Sequence, residues 1–244
     1  MSADVATGSG PALCLAQVSK TFGRHRALID LTVSFDSGEV AAVLGPNGAG
    51  KSTLLGILST LVRPSAGQVT FDGRAVDRHP DVRTTIGYVG HEPGLYADLT
   101  ARQNLALFAG LYGIPDAPAR GEQMLARVGL ADVRREAIVR TFSRGMMQRL
   151  ALARALLHEP RVLLFDEPGS ALDPAGVTWL AEEIARERAT GRLVVLVTHD
   201  LDAAASVATH LVILRRGRVA LDERSRAGFT PPEVRALYEK NTHA

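Results

Sequence analysis

Three stretches are apolar almost throughout: residues 40–44, 161–165 after Arg161, and 193–198 up to Thr198. Continuous runs of that length read as strands buried on both faces, the mark of a parallel sheet. Other stretches alternate instead. In 28–35, Leu31, Val33 and Phe35 alternate with Thr32 and Ser34, a strand with one buried face. Residues 13–18 alternate more weakly, and 68–71 form another strand closed by Asp72-Gly73. These predict an antiparallel sheet beside the parallel one, while 86–89 reads as one more short buried strand. Between 99 and 137 the period lengthens: Leu105, Phe108, Leu111 and Tyr112, then Met124, Leu125 and Val128, recur at helical spacing, punctuated by Gly113 and Pro115. An all-helical insertion is expected there. Further helices are expected over 52–60, 144–157, 174–189 (with Pro174 at its start) and 232–239. A strand at 211–214 leads to a possible hairpin at Arg216-Gly217.

Composition narrows the classes. The 244 residues are 46% hydrophobic, enough for one large core or a core with a small subdomain. A net charge of +2 with dispersed basic residues predicts no nucleic-acid partner. Cys14 is the only cysteine, which excludes an internal disulfide and a cysteine-based zinc site. No run reaches the ~18 apolar residues of a membrane span, so a membrane role has to come through a partner. Residues 1–11 lack an apolar signal core and are expected to be a disordered tail. Lysine occurs only at Lys20, Lys51 and Lys240; arginine serves elsewhere.

Lys51 closes the segment Gly45-Pro46-Asn47-Gly48-Ala49-Gly50-Lys51-Ser52-Thr53, which fits G-x-x-x-x-G-K-[ST]. A buried strand precedes it and a helix follows. That order wraps backbone N–H groups around a polyphosphate, and glycine lets the chain approach the oxygens. Lys51 supplies charge to the β- and γ-phosphates, and the Ser52 hydroxyl can ligate Mg²⁺. A second element, Asp166-Glu167, ends the apolar run at 161–165. Asp166 there can hold Mg²⁺ of a bound ATP, and Glu167 can polarise the attacking water. No guanine-reading Asn-Lys-x-Asp follows, and the G-x-G-x-x-G of a dinucleotide fold is absent.

With Thr141-Phe142-Ser143-Arg144-Gly145-Met146-Met147-Gln148-Arg149-Leu150 added, residues 12–222 resemble the nucleotide-binding domain of ABC transporters. This stretch is similar to the family signature LSGGQxQR, retaining Ser143, Gly145, Gln148 and Arg149. The resemblance implies an α/β P-loop NTPase: a mostly parallel RecA-like core (12–90 and 151–222), an antiparallel β subdomain, an inserted helical subdomain (91–150) and a C-terminal helical tail (223–244). It implies a head-to-tail dimer in which Ser143 and Gly145 of one protomer meet the γ-phosphate held by the other. Read from the residues alone, Ser143 is a helix cap and the methionines are core. Gly169-Ser170-Ala171-Leu172-Asp173 resembles the loop that crosses the dimer interface, and Thr198-His199-Asp200 resembles the switch histidine motif, in which a neutral imidazole can bridge the γ-phosphate and Glu167. Phe22 falls where the family places an aromatic under adenine; its alternative is a partly buried loop aromatic. His25, His79, His158, His210 and His243 have no such context and read as surface or packing residues.

Spacing puts His91 where the family usually has a Mg²⁺-touching glutamine. It is either an active-site contact or a coupling-loop residue that never reaches nucleotide; Mg²⁺ prefers oxygen to imidazole. The stretch from Gly90 to Leu105 is similar to that of the ATPases of the cytochrome c maturation, heme-handling ABC complex. The resemblance thus implies the heme-handling complex first; ATPases of ABC-2-type exporters of drugs, lipids or polysaccharides share such features and are the alternative. His91-Glu92-Pro93 is not a heme-ligand motif. The resemblance implies permease subunits as partners and a peripheral position on the cytoplasmic face of the plasma membrane. Leu95, Tyr96 and Leu99 are the expected apolar contacts to a permease helix. A soluble regulatory ATPase is the less favoured reading.

Overall fold

The computed structural model describes residues 12–131, 135–170 and 172–242; the tail expected at 1–11 lies outside them. Six strands build the larger sheet, in the order β10 (Arg218–Arg224), β9 (His210–Arg215), β3 (Val40–Leu44), β8 (Leu193–Val197), β7 (Val162–Asp166) and β6 (Ile86–Val89). All neighbours are parallel except the β9–β10 hairpin. That hairpin turns through Arg216 and Gly217, both at positive φ, the backbone a two-residue turn demands. The expected parallel sheet is present, and its apolar runs are buried throughout β3 and β8.

The antiparallel sheet has the order β2 (His25–Phe35), β1 (Leu13–Phe22), β4 (Ala66–Phe71), β5 (Arg74–Ala75). β1 runs past the expected end at 18, through a bulge with Gln17 at positive φ, because it pairs with β2 as far as Phe22. Alternation along β3 feeds two cores. Val40, Ala42 and Leu44 face one cluster with the inserted helices, and Ala41 and Val43 face another under the antiparallel sheet.

The helices are α1 (Lys51–Leu58), α2 (Ala101–Leu111), α3 (Ala117–Arg127), α4 (Arg144–Leu156), α5 (Pro174–Ala189), α6 (Leu201–Val207) and α7 (Pro231–Thr242). Their starts are encoded locally. Thr100 and Gln103 form a reciprocal capping box at α2, and Asp116, Ser143 and Asp173 cap α3, α4 and α5. Four elements have no sequence expectation: β5, the 3₁₀ turns at Pro80–Thr85 and Val139–Thr141, and α6. α6 is a short alanine-rich helix with too few apolar side chains to show a period; Asp200 starts it by accepting from the N–H groups of Asp202 and Ala203. α7 packs Val234, wholly buried, into the larger core.

Candidate nucleotide site

The register brings the functional ends together. Val43 pairs with Val197, and Val197 pairs with Asp166, so β3, β8 and β7 end side by side. Ligands of parallel sheets bind outside such carboxyl ends. The loop from Gly45 to Gly50 leaves β3 there and enters α1. Gly45 has φ 149° and Gly50 has φ 105°. A Cβ on Gly45 would lie 2.4 Å from the Leu214 carbonyl oxygen, and one on Gly50 would lie 2.7 Å from that of Ala27. Glycine is therefore required by sterics as well as by conformation. No side chain caps the N-terminus of α1, and its first turn carries no acidic residue. Its open amides and dipole favour an anion.

Lys51 is buried, and its Nζ donates to the Gly45 carbonyl at 2.6 Å and the Pro46 carbonyl at 3.2 Å. Burial lowers its pKa, against the fields of Glu167 and Asp166. For Asp166 the direction is opposite. Burial, then the neighbouring Glu167 carboxylate, raise its pKa, against His91 and Lys51. Glu167 sits at φ 50° in the turn after β7. Its N–H donates to the Val197 carbonyl at 2.9 Å, and its Oε2 lies 2.9 Å from His199 Nδ1 and 3.3 Å from the His199 N–H. The carboxylate is thus held from two directions by the loop after β8.

A cavity of about 280 Å³ is bounded by the loop glycines, Lys51, Ser52, Thr53, Asp166 and Glu167. Polyphosphate fits this lining: open amides, one buried cation and a hydroxyl. Mg²⁺ fits as a shared ligand. Ser52 and Asp166 offer oxygen donors, and among the described residues no cluster of His, Cys, Asp and Glu could hold a metal alone. A cation bound by one or two protein oxygens plus phosphate oxygens is the usual Mg²⁺ arrangement.

Asp166 and Glu167 also wall a second cavity of about 440 Å³, with His91, Arg144 and Gln148 opposite. His91 therefore faces the acidic pair from this side and does not border the phosphate loop. Ser143 caps α4 by accepting from the Met146 N–H at 3.2 Å. Neither Ser143 nor Gly145 lines a cavity with the phosphate loop of its own chain. A Cβ on Gly145 would meet only Leu172 Cδ2, at 3.6 Å, so packing within the chain does not require glycine there. Met146 and Met147 pack against the core, as read from the sequence.

Phe22 is 50% exposed, with Lys20 Nζ 4.8 Å from its ring centre. It lines neither cavity, but its hairpin partner His25 does line the first. The sequence reading takes His25 as an ordinary histidine; the pairing of β1 with β2 beyond their expected ends brings it here, and no motif in the sequence signals that. His210 is fully buried between Asp222 at 2.7 Å and Glu39 at 3.3 Å, and His158 stacks on Tyr112 with ring centres 4.0 Å apart.

The family model described as ABC transporter matches residues 28–170, more than half of the chain. The chain belongs to the ABC transporter family. It is an ATP-binding, ATPase-type subunit of that family by the same match. Among curated relatives, it is 40% identical over 211 residues to the daunorubicin resistance ATP-binding protein DrrA3 of Streptomyces coeruleorubidus, covering 85% of this chain and 66% of that protein. It is 37% identical over 209 residues to the glycine betaine uptake system ATP-binding protein YehX of Escherichia coli, covering 84% and 68%. This ABC subunit thus spans about two thirds of the length of those relatives. The ATP-binding cassette MJ0796, solved as a dimer in a post-hydrolysis state bound to ADP and phosphate, superposes with a TM-score of 0.79 at 29% identity, covering 88% of this chain and 99% of that one.

Proposed function

We propose that this chain hydrolyses ATP as one half of a head-to-tail dimer and so drives a membrane transporter. The observation that carries the reading is Glu167, next to Asp166 at the phosphate loop and gripped by His199. In the proposed site the loop amides and Lys51 bind the phosphates, and Ser52 and Asp166 hold Mg²⁺, which supplies charge neutralisation at the γ-phosphate. Glu167 accepts a proton from the attacking water, and His199 keeps its carboxylate aimed. Phe22 offers an exposed face for the adenine. Ser143 and Gly145 complete the pocket from the second copy; the dimeric MJ0796 relative and the unneeded glycine at 145 support this.

For the permease partner, an open groove of about 270 Å³ runs between the end of α1 and α2, lined by Leu61, Phe108, Tyr112 and Arg154. Leu61, 72% exposed, and Tyr112, 42% exposed, are its most open apolar side chains. Of the expected contacts, Tyr96 is exposed, while Leu95 packs inward and Leu99 is half-buried. Among the described residues no helix is long and apolar enough to cross a membrane. A peripheral place on the cytoplasmic face, held by a permease, fits these surfaces. The cargo reading we favour is an ABC-2-type exporter, supported by the relative named for daunorubicin resistance. The stretch from Gly90 to Leu105 supports heme handling as the second reading.

The test is Glu167→Gln. The variant keeps ATP binding, loses turnover and accumulates as an ATP-bound dimer in size-exclusion chromatography. Turnover at the parent rate sinks the assignment of Glu167.

A further inference from the structure

α5 carries Trp179, Glu183 and Glu187 at four-residue intervals, which places them in one stripe along the helix. Both carboxylates are buried, 1% exposed by residue. The stripe faces the inserted helices. Arg127, at the end of α3, donates through Nη2 to Glu183 Oε2 at 2.9 Å and through Nε at 3.3 Å, and also to Glu187. Arg149, in the signature helix α4, lies over the Trp179 ring with its guanidinium carbon 4.0 Å from the ring centre. Its Nη1 donates to the Val128 carbonyl at 3.2 Å, the residue after Arg127. The remaining carboxylate oxygens are taken from the core side. Arg186 pairs with Glu183, and Arg192 pairs with Glu187.

A polar join is an unusual way to fasten two parts of a core. Buried ion pairs add little net stability over apolar contact, but a fork of fixed donors between two fixed acceptors admits one alignment. Leucines in the same places would let the helices slide. Burial opposes the charge on Arg127, yet its hydrogen bond to Glu183 and the field of Glu187 outweigh it and raise its pKa. The arginine is therefore charged at any working pH.

We infer that Arg127 and Arg149 are positioning residues that hold α3 and α4 in one orientation on the Trp179–Glu183–Glu187 stripe of α5. That orientation sets where Ser143, at the tip of α4, is presented. The consequence for turnover rests on the two-copy reading above; the clasp itself does not.

Trp179 is the only tryptophan, so its fluorescence reports the clasp directly. The experiment uses the purified full-length chain with Arg127→Ala and Arg127→Lys, the second keeping a charge in the buried cluster but not the fork. Acrylamide quenching of Trp179 in nucleotide-free protein rises in both variants, because Val128 no longer holds Arg149 on the ring. Unchanged quenching overturns the inference. Affinity for a fluorescent ATP analogue stays within about twofold, while turnover falls on the order of ten- to a hundredfold, the scale of a small misplacement. Turnover that matches the parent, or that falls only in step with nucleotide affinity, overturns the positioning role. A parent chain that shows no ATP-driven dimer in light scattering sinks the two-copy reading instead, and the quenching result still decides the clasp.

Discussion

Asp166 shows how a nucleotide site strains its own fold. Its pKa is raised from 3.8, first by burial and then by Glu167. A carboxyl whose folded pKa lies above its unfolded one binds protons more readily when folded. The penalty therefore grows as pH rises from 3.8 through the raised value, and it is complete above that value. Asp166→Asn removes that charge. Nucleotide-free Asp166→Asn protein is expected to melt higher, by roughly 2–4 °C for each kcal/mol relieved, while losing Mg²⁺-dependent ATP turnover. Scanning calorimetry and a phosphate-release assay check the two halves; an unchanged or lower melting temperature refutes the strain. The motif made Asp166 and Glu167 legible as a pair. The resemblance of His199 to the switch histidine implied its bridge to Glu167; only the structure adds that the His199 N–H joins the ring on that carboxylate, because the two residues sit in loops after different strands.

Among the elements, α4 carries two roles at its first turn. Ser143 is a cap, and removing the hydroxyl costs about 1 kcal/mol of helix stability. Aspartate caps equally well but brings a negative charge. Ser143→Asp is thus expected to leave the melting temperature within about 2 °C of the parent, while turnover is lost because like charges meet at the partner's phosphate. Parent-level turnover in Ser143→Asp removes Ser143 from the reaction. The cap was readable because capping is local: a serine and the amides one turn later. The helical spacing of 99–137 announced helices, and their bounds follow from Thr100, Asp116 and the glycine at 113, at φ 66°. α6 was not readable, for a helix of two turns leaves too short a pattern.

At the scale of the whole molecule, the antiparallel sheet, the parallel sheet and the inserted helices meet so that one edge presents phosphate chemistry and another presents an apolar groove. Leu61 follows α1 and Tyr112 follows α2, yet both line the same groove. Leu61→Glu is expected to leave ATP binding unchanged and to abolish recovery of the chain with the membrane fraction of cells. Retention on membranes at the parent level would refute docking at this groove. The sequence expectation names Leu95, Tyr96 and Leu99 as permease contacts; Tyr96 is exposed, while Leu95 packs against the larger core and Leu99 is half-buried.

What the amino-acid order determined alone is what local stereochemistry controls. Apolar runs and alternation set the strands, caps and prolines set the helix starts, and glycines at 45 and 50 with Lys51 set a phosphate cradle. Each depends on neighbours within a turn or a pleat, so the pattern can be read along the chain. The tertiary structure alone decided which distant groups face each other: His25 beside the cradle, His91 across the acidic pair, Arg127 on Glu183 and Glu187, and Leu61 with Tyr112 along one groove. Those meetings depend on strand order and helix packing, where contacts far apart in sequence are selected by burial and pairing together, and no local period records them.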